Sequence, residues 1–203
     1  MQLSFWPAIL VGVLLASCAA DNPAQEASKK VTKRYNLGAV TVQLPAGWKA
    51  LDYDSAGLWG AGQGPAYRRR HLFIDSASAD TVIRPAIVLT VEKRAGTFQT
   101  SKAAQGLAKS LRVSPDQLQG LTLRDTLLAN GHLAIIEATY HSRVAHLDVI
   151  QTYAFYTRAH VLVSFMGMAR SRSGPANRQT QALFRQVITS LTWQKERTRI
   201  QAP

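Results

Sequence analysis

The stretch from residue 121 to residue 168 restricts the fold more than any other part of this chain. Leu121, Leu123, Leu127 and Ala129 fall at alternating positions, so residues 121–129 read as a strand with one apolar face. Asn130-Gly131 follows, the strongest two-residue hairpin signal in the chain, because both residue types tolerate positive φ. Residues 132–140 read as the return strand and Ser142-Arg143-Val144-Ala145 as a second turn. Residues 147–156 and 161–168 form a further hairpin about Arg158-Ala159. Strands joined by such short turns lie side by side, so the stretch predicts a four-stranded antiparallel meander.

The flanking segments supply the rest of the domain. Residues 39–44 alternate and are β-branched, predicting a strand that Pro45-Ala46-Gly47 ends, with Trp48 packing back on the core. Residues 52–68 hold Gly57, Gly60, Gly62, Gly64 and Pro65, an irregular stretch of a length that is usually functional or disordered. Residues 71–75 predict a short strand and residues 76–80 a loop. Pro85 opens an almost wholly apolar strand at 86–93, as expected of a central strand covered on both faces. Thr100 or Ser101 is placed to cap a helix through Leu111, with Ala104, Leu107, Ala108 and Leu111 on one face. Ser173-Gly174-Pro175 starts a last helix whose stripe is Leu183, Phe184, Val187, Ile188 and Leu191, and Trp193 closes the domain. The expected class is α+β: a mostly antiparallel sheet of about six or seven strands with helices packed on it, spanning residues 34–194. Residues 195–203 form a basic tail.

The 203 residues suffice for one domain with a sizeable core. The net charge is +12, and no Lys or Arg precedes Lys29, so all of that charge lies beyond the N-terminal segment. Such a balance attracts polyanions: anionic lipid, acidic polymers or acidic proteins. The single cysteine, Cys18, leaves no thiol or disulfide for the folded domain. No later apolar run approaches the roughly 20 residues that span a bilayer.

Residues 8–15 are apolar and lead into Leu15-Ala16-Ser17-Cys18, which resembles the lipobox of bacterial lipoproteins. The resemblance implies a signal peptide over residues 1–17 and acylation of Cys18, with palmitate among its chains; the competing readings are ordinary cleavage after Ala20 and an uncleaved anchor. With Ala19, not Asp, after the cysteine, it implies an outer-membrane anchor facing the periplasm. Several acyl chains on one cysteine meet the need for more than one anchoring signal. Residues 18–33 then read as a flexible tether reaching roughly 20 Å. That location demotes nucleic acid as the target of the positive charge.

Leu44-Pro45-Ala46-Gly47-Trp48, the apolar strand at 86–91, and the closing helix with Phe184, Ile188, Ser190 and Leu191 resemble the PsbP-like superfamily, which includes the DcrB-like bacterial lipoproteins. The resemblance covers about residues 35–193 and implies an α/β/α sandwich. Members serve as assembly or stabilising subunits, adaptors and envelope lipoproteins, generally without enzymatic activity. A non-enzymatic envelope lipoprotein, acting as a binding, assembly or stabilising module for a protein or anionic partner, is what that implies, with no cofactor.

The most site-like residues are aromatics beside arginines: Tyr53, Trp59 and Tyr67, followed by Arg68, Arg69 and Arg70. Tyr, Trp and Arg dominate binding hot spots, and arginine forks onto carboxylate and phosphate. The competing reading is a solvated strand edge with Trp59 in the core. His141 and His146 bracket the second turn and are the weak candidates for a metal-dependent domain or enzyme, against a plain pair of exposed histidines. An inhibitor or immunity lipoprotein is a third reading, without a motif of its own. No G-x-S-x-G elbow is present, and Asp75, Asp80, Glu92 and Glu137 read as strand-end or solvent-facing carboxylates, so no catalytic residue is assigned.

Overall fold

The computed structural model describes residues 31–51, 68–80, 82–93, 96–114, 116–128, 131–172 and 174–194. The chain forms β1 (Val31–Asn36), β2 (Val40–Pro45), β3 (Trp48–Leu51), β4 (Arg68–Asp75), β5 (Ala86–Lys93), α1 (Thr100–Arg112), β6 (Gln117–Leu128), β7 (Gly131–Ser142), β8 (Leu147–Arg158), β9 (Val161–Arg170), α2 (Gly174–Thr189) and β10 (Thr192–Trp193). Seven strands make one antiparallel sheet in the order β3-β4-β5-β9-β8-β7-β6, and β1-β2-β10 make a small second sheet. The α+β class and the four-stranded meander are both present. Helix α1 carries the chain from β5 to the far edge, and three hairpins return it, so that β9 pairs with β5.

The strands alternate two faces. Phe73, Ile87, Leu89, Val91, Val163 and Phe165 enter the main core, which Leu44, Phe184, Val187 and Ile188 complete from β2 and α2. On the opposite face, Ala104 of α1 closes over Ala134 and Ile136, with Leu107, Leu111 and Leu121 around them. The small alanine lets the helix backbone lie close to the sheet, and Lys109 and Arg112 in its last turn suit the helix dipole. Strand β7 is sandwiched between these cores, which is why residues 133–138 are buried without alternation.

One interlock places α2. A Cβ on Gly167 would lie 2.9 Å from the ring of Phe184, which is fully buried and meets Phe165 edge-on at 6.1 Å. The missing side chain is therefore a socket in β9 for the helix. Beyond α2, Thr192 and Trp193 pair with Thr41 and Val40, joining the small sheet to the end of the chain. Thr41 and Thr192 also share a hydroxyl hydrogen bond of 2.6 Å.

Several expectations shift. Gly131 is the first residue of β7, paired with Leu128, and not a turn residue. Its glycine is required because a Cβ would sit 2.2 Å from the Thr157 carbonyl oxygen and its φ is +146°. Arg158 pairs with Val161, so the last hairpin turns on Ala159 and His160. Helix α1 is preceded by Gln99 without a side-chain cap; the Thr100 hydroxyl is spent on Thr157 at 2.8 Å. Strand β1 takes in Val31, Thr32 and Lys33, assigned above to the tether, because it pairs with β2. Strand β5 is covered on both faces over residues 89–92, with Thr90 and Glu92 buried opposite the main core, while Ala86 and Val88 on that same face are half-buried. Asp75 does end β4, as expected of a strand-end acid, but it, Asp80, Glu92 and Glu137 are buried and not solvent-facing, each with a polar partner.

Filling the socket with Gly167→Ala should push Phe184 aside and cost about 1–3 kcal/mol. Emptying it with Phe184→Ala should cost about 3–5 kcal/mol. Urea unfolding followed by circular dichroism measures both.

Candidate functional site

Three places in the described structure gather polar or exposed side chains. The first is a cleft of about 550 Å³ at the start of α1, lined by Phe98, Thr100, Ser101, Lys102, Gln105 and His132. The Leu127↔His132 and Asp125↔Ala134 pairings put Asp125 and His132 on the face that α1 covers. His132 Nε2 lies 2.5 Å from Asp125 Oδ1 and 3.4 Å from the Ser101 hydroxyl. The hydrogen bond from Ser101 holds the Asp125 carboxyl below its ordinary value; burial partly opposes this, and His132 adds to it. Serine, histidine and aspartate thus meet, yet both partners address the same ring nitrogen. A catalytic relay needs the carboxylate on one nitrogen and the hydroxyl on the other. The cluster ties α1 to the β6–β7 hairpin. Sequence reasoning missed it because Ser101 is distant in the chain, and only the return of β7 beneath α1 brings it near.

The second place is the β6 edge. Leu123 is 40% exposed, Leu127 82% and Leu128 38%. A cavity of about 290 Å³ opens beside it on the α2 face, lined by Arg124, Thr126, Leu128, Leu133, Ile135, Arg185 and Thr189. Arg185 reaches from α2 to the buried Glu137 at 3.1 Å. Glu137 Oε1 has no hydrogen-bond partner among the described residues. The exposed Arg124 side chain makes no hydrogen bond or ion pair among the described residues. This site had no sequence signal beyond the leucines themselves, because exposure depends on which strand ends the sheet.

The third place is the arginine run. Arg68, Arg69 and Arg70 belong to β4, not to a loop, and pair with Glu92, Val91 and Thr90. Strand alternation sends Arg69 and Arg70 to opposite faces, so the run is not one cluster. Tyr53, Trp59 and Tyr67 lie outside the described residues, as does Cys18. His71, on the Arg69 face, is half-buried and stacks near Phe73 at 6.5 Å. Burial lowers its pKa, and the Arg69 charge lowers it further.

The histidines of the second turn do not face each other. His141 Nδ1 bonds Asp148 Oδ1 directly across the hairpin at 2.9 Å. The same oxygen accepts from Gln119 at 3.0 Å. His146 is exposed at a positive φ of 53° in the turn itself. Among the described residues no three His, Cys, Asp or Glu side chains gather as a metal site would require.

No family model matches the chain, and no curated protein matches it in sequence. Solved structures do match in fold. One is LpqN, described as involved in cell envelope biogenesis of Mycobacterium tuberculosis, with a TM-score of 0.54 at 13% identity over 77% of this chain and 83% of that one. Another is the cyanobacterial PsbP of Synechocystis, with a TM-score of 0.51 at 14% identity over 89% and 99%. The fold is PsbP-like.

His71 gives the fold a pH dependence whose sign is set. Its folded-state pKa is depressed, so the unfolded chain binds the proton more readily. Its contribution is complete above about pH 6.5, its unfolded value, and is lost as pH falls through that range toward the folded value. Urea unfolding at pH 7.5 and 5.5 should show the loss, and His71→Gln should flatten it.

Proposed function

We propose that this chain is a non-enzymatic envelope protein, anchored by lipid on Cys18 to the outer membrane and facing the periplasm. Its PsbP-like domain acts as a binding, assembly or stabilising module for an acidic protein or anionic envelope polymer. One observation carries the reading: the domain's charges are segregated. Every carboxylate among the described residues is buried or engaged. Asp80 is held by Arg172 and backbone amides, Glu137 by Arg185, Asp125 by His132 and Asp148 by His141. Asp116 accepts from the Arg143 amide and Asp75 from the Ala77 amide, and Glu92 is buried with a partner. Lys49, Arg69, Arg84, Lys102 and Arg124 meanwhile stand exposed without an ion-pair partner among the described residues.

In a chain of net charge +12, these unpaired cations are what the described residues present to an anionic partner. The likeness to an envelope-biogenesis protein supports the compartment, and the lipobox-like segment supports the anchor.

Two measurements test this. Cys18→Ala should abolish incorporation of labelled palmitate and move the protein from the membrane to the soluble fraction. Crosslinking in intact cells should capture a partner whose retention on the purified protein falls as salt rises from about 0.1 to 1 M, which shortens the Debye length from about 10 to 3 Å. Retention indifferent to salt would refute charge as the basis of binding.

A further inference from the structure

We infer that the free edge of β6 is a docking site for an extended acidic segment of a partner protein, which adds to the seven-stranded sheet as a further strand. The inference rests on the binding-module reading and names the chemistry of the partner.

The two edges of the sheet differ. At one end β3 is only four residues long; at the other, β6 runs for twelve and among the described residues pairs with β7 alone. A strand edge offers a row of unpaired amides and carbonyls, and proteins blunt such edges with proline, lysine, short length or bulges. β6 contains neither proline nor lysine, and its one irregularity lies between Leu118 and Gly120, leaving residues 120–128 in unbroken register.

The side chains specify what fits. On the α1 face β6 offers Leu123 and Leu127, Leu121 being partly covered by α1, and the one acid there, Asp125, is engaged by His132. On the α2 face it offers Thr122, Arg124 and Thr126 beside the cavity that holds Arg185. An added strand points successive side chains to opposite faces. The complement is therefore a segment alternating apolar residues, which cover the leucines, with acidic residues, which meet Arg124. Main-chain hydrogen bonds supply affinity in such strand addition, and the alternating side chains supply selectivity. A second copy of this chain suits the edge poorly. Two molecules of net charge +12 repel, and β6 offers no row of carboxylates to a copy of itself.

The probe is a fluorescein-labelled ten-residue peptide alternating valine and glutamate, compared with its valine–lysine counterpart by fluorescence anisotropy. The glutamate peptide should bind saturably, and the lysine peptide at least tenfold more weakly. Arg124→Glu should weaken the glutamate peptide at least tenfold, and Leu127→Glu should weaken it too, with circular dichroism unchanged because both positions are exposed. Bound peptide should slow hydrogen exchange in residues 121–127.

Equal binding of both peptides, binding of neither, or indifference to Arg124→Glu overturns the inference. So does sedimentation showing a dimer of the chain that Leu127→Glu dissolves. Capture of the crosslinked envelope partner separates the two levels. Loss with Lys49→Glu and Arg69→Glu, but not with the β6 variants, sinks the edge and leaves the module reading standing. Loss with none of them sinks both.

Discussion

The seat of Phe184 over Gly167 is the contact on which the rest of the arrangement depends. A glycine in the middle of an interior strand ordinarily weakens it. Here it makes room for a ring that locks α2 across the meander, with Val187 and Ile188 buried beside it. That lock fixes where the chain emerges from α2. Leu191 is buried, and Thr192 and Trp193 complete the small sheet against β2. Trp193 then packs on Tyr156 at 5.1 Å, returning the end of the domain to the centre of the main sheet. The two sheets are thus coupled through one helix.

The polar interior follows a related logic. Buried carboxylates are costly unless paired and hydrogen-bonded. Asp80 meets this cost with two backbone amides in its own turn and with Arg172 after β9. Glu137 meets it with Arg185 of α2, which makes the ion pair a second tie between helix and sheet. Placing the acids in these structural roles removes them from the surface. Lys49, Arg69, Arg84, Lys102 and Arg124 are left exposed without such partners among the described residues.

Helix α1 covers β6, β7 and β8 on the side opposite α2, and its position decides the character of the sheet's edge. It shields Leu121 while leaving Leu123 and Leu127 open. The His132, Asp125 and Ser101 contacts hold this helix start against the hairpin. They consume the one negative charge on that face of the strand.

How much of this could be read beforehand follows from the range of each interaction. The meander, both helices and the burial of Trp48 were legible, because turn chemistry and apolar periodicity act over a few residues. Hairpin details were legible only to within a residue: Gly131 serves a close approach to Thr157, which no local rule contains. The buried carboxylates were misread because a single acid in a strand looks the same whether a partner from another element covers it or not. The arginine run was legible as composition and not as geometry, since strand alternation divides it between faces. By itself the sequence determined the antiparallel α+β class, the basic charge and the lone cysteine, all properties of neighbours along the chain. Only the tertiary structure decided that β9 joins β5, that β6 ends the sheet among the described residues, and that Asp75, Asp80, Glu92 and Glu137 turn inward. Those outcomes depend on residues far apart in sequence, brought together by the crossing of α1 and the docking of Phe184.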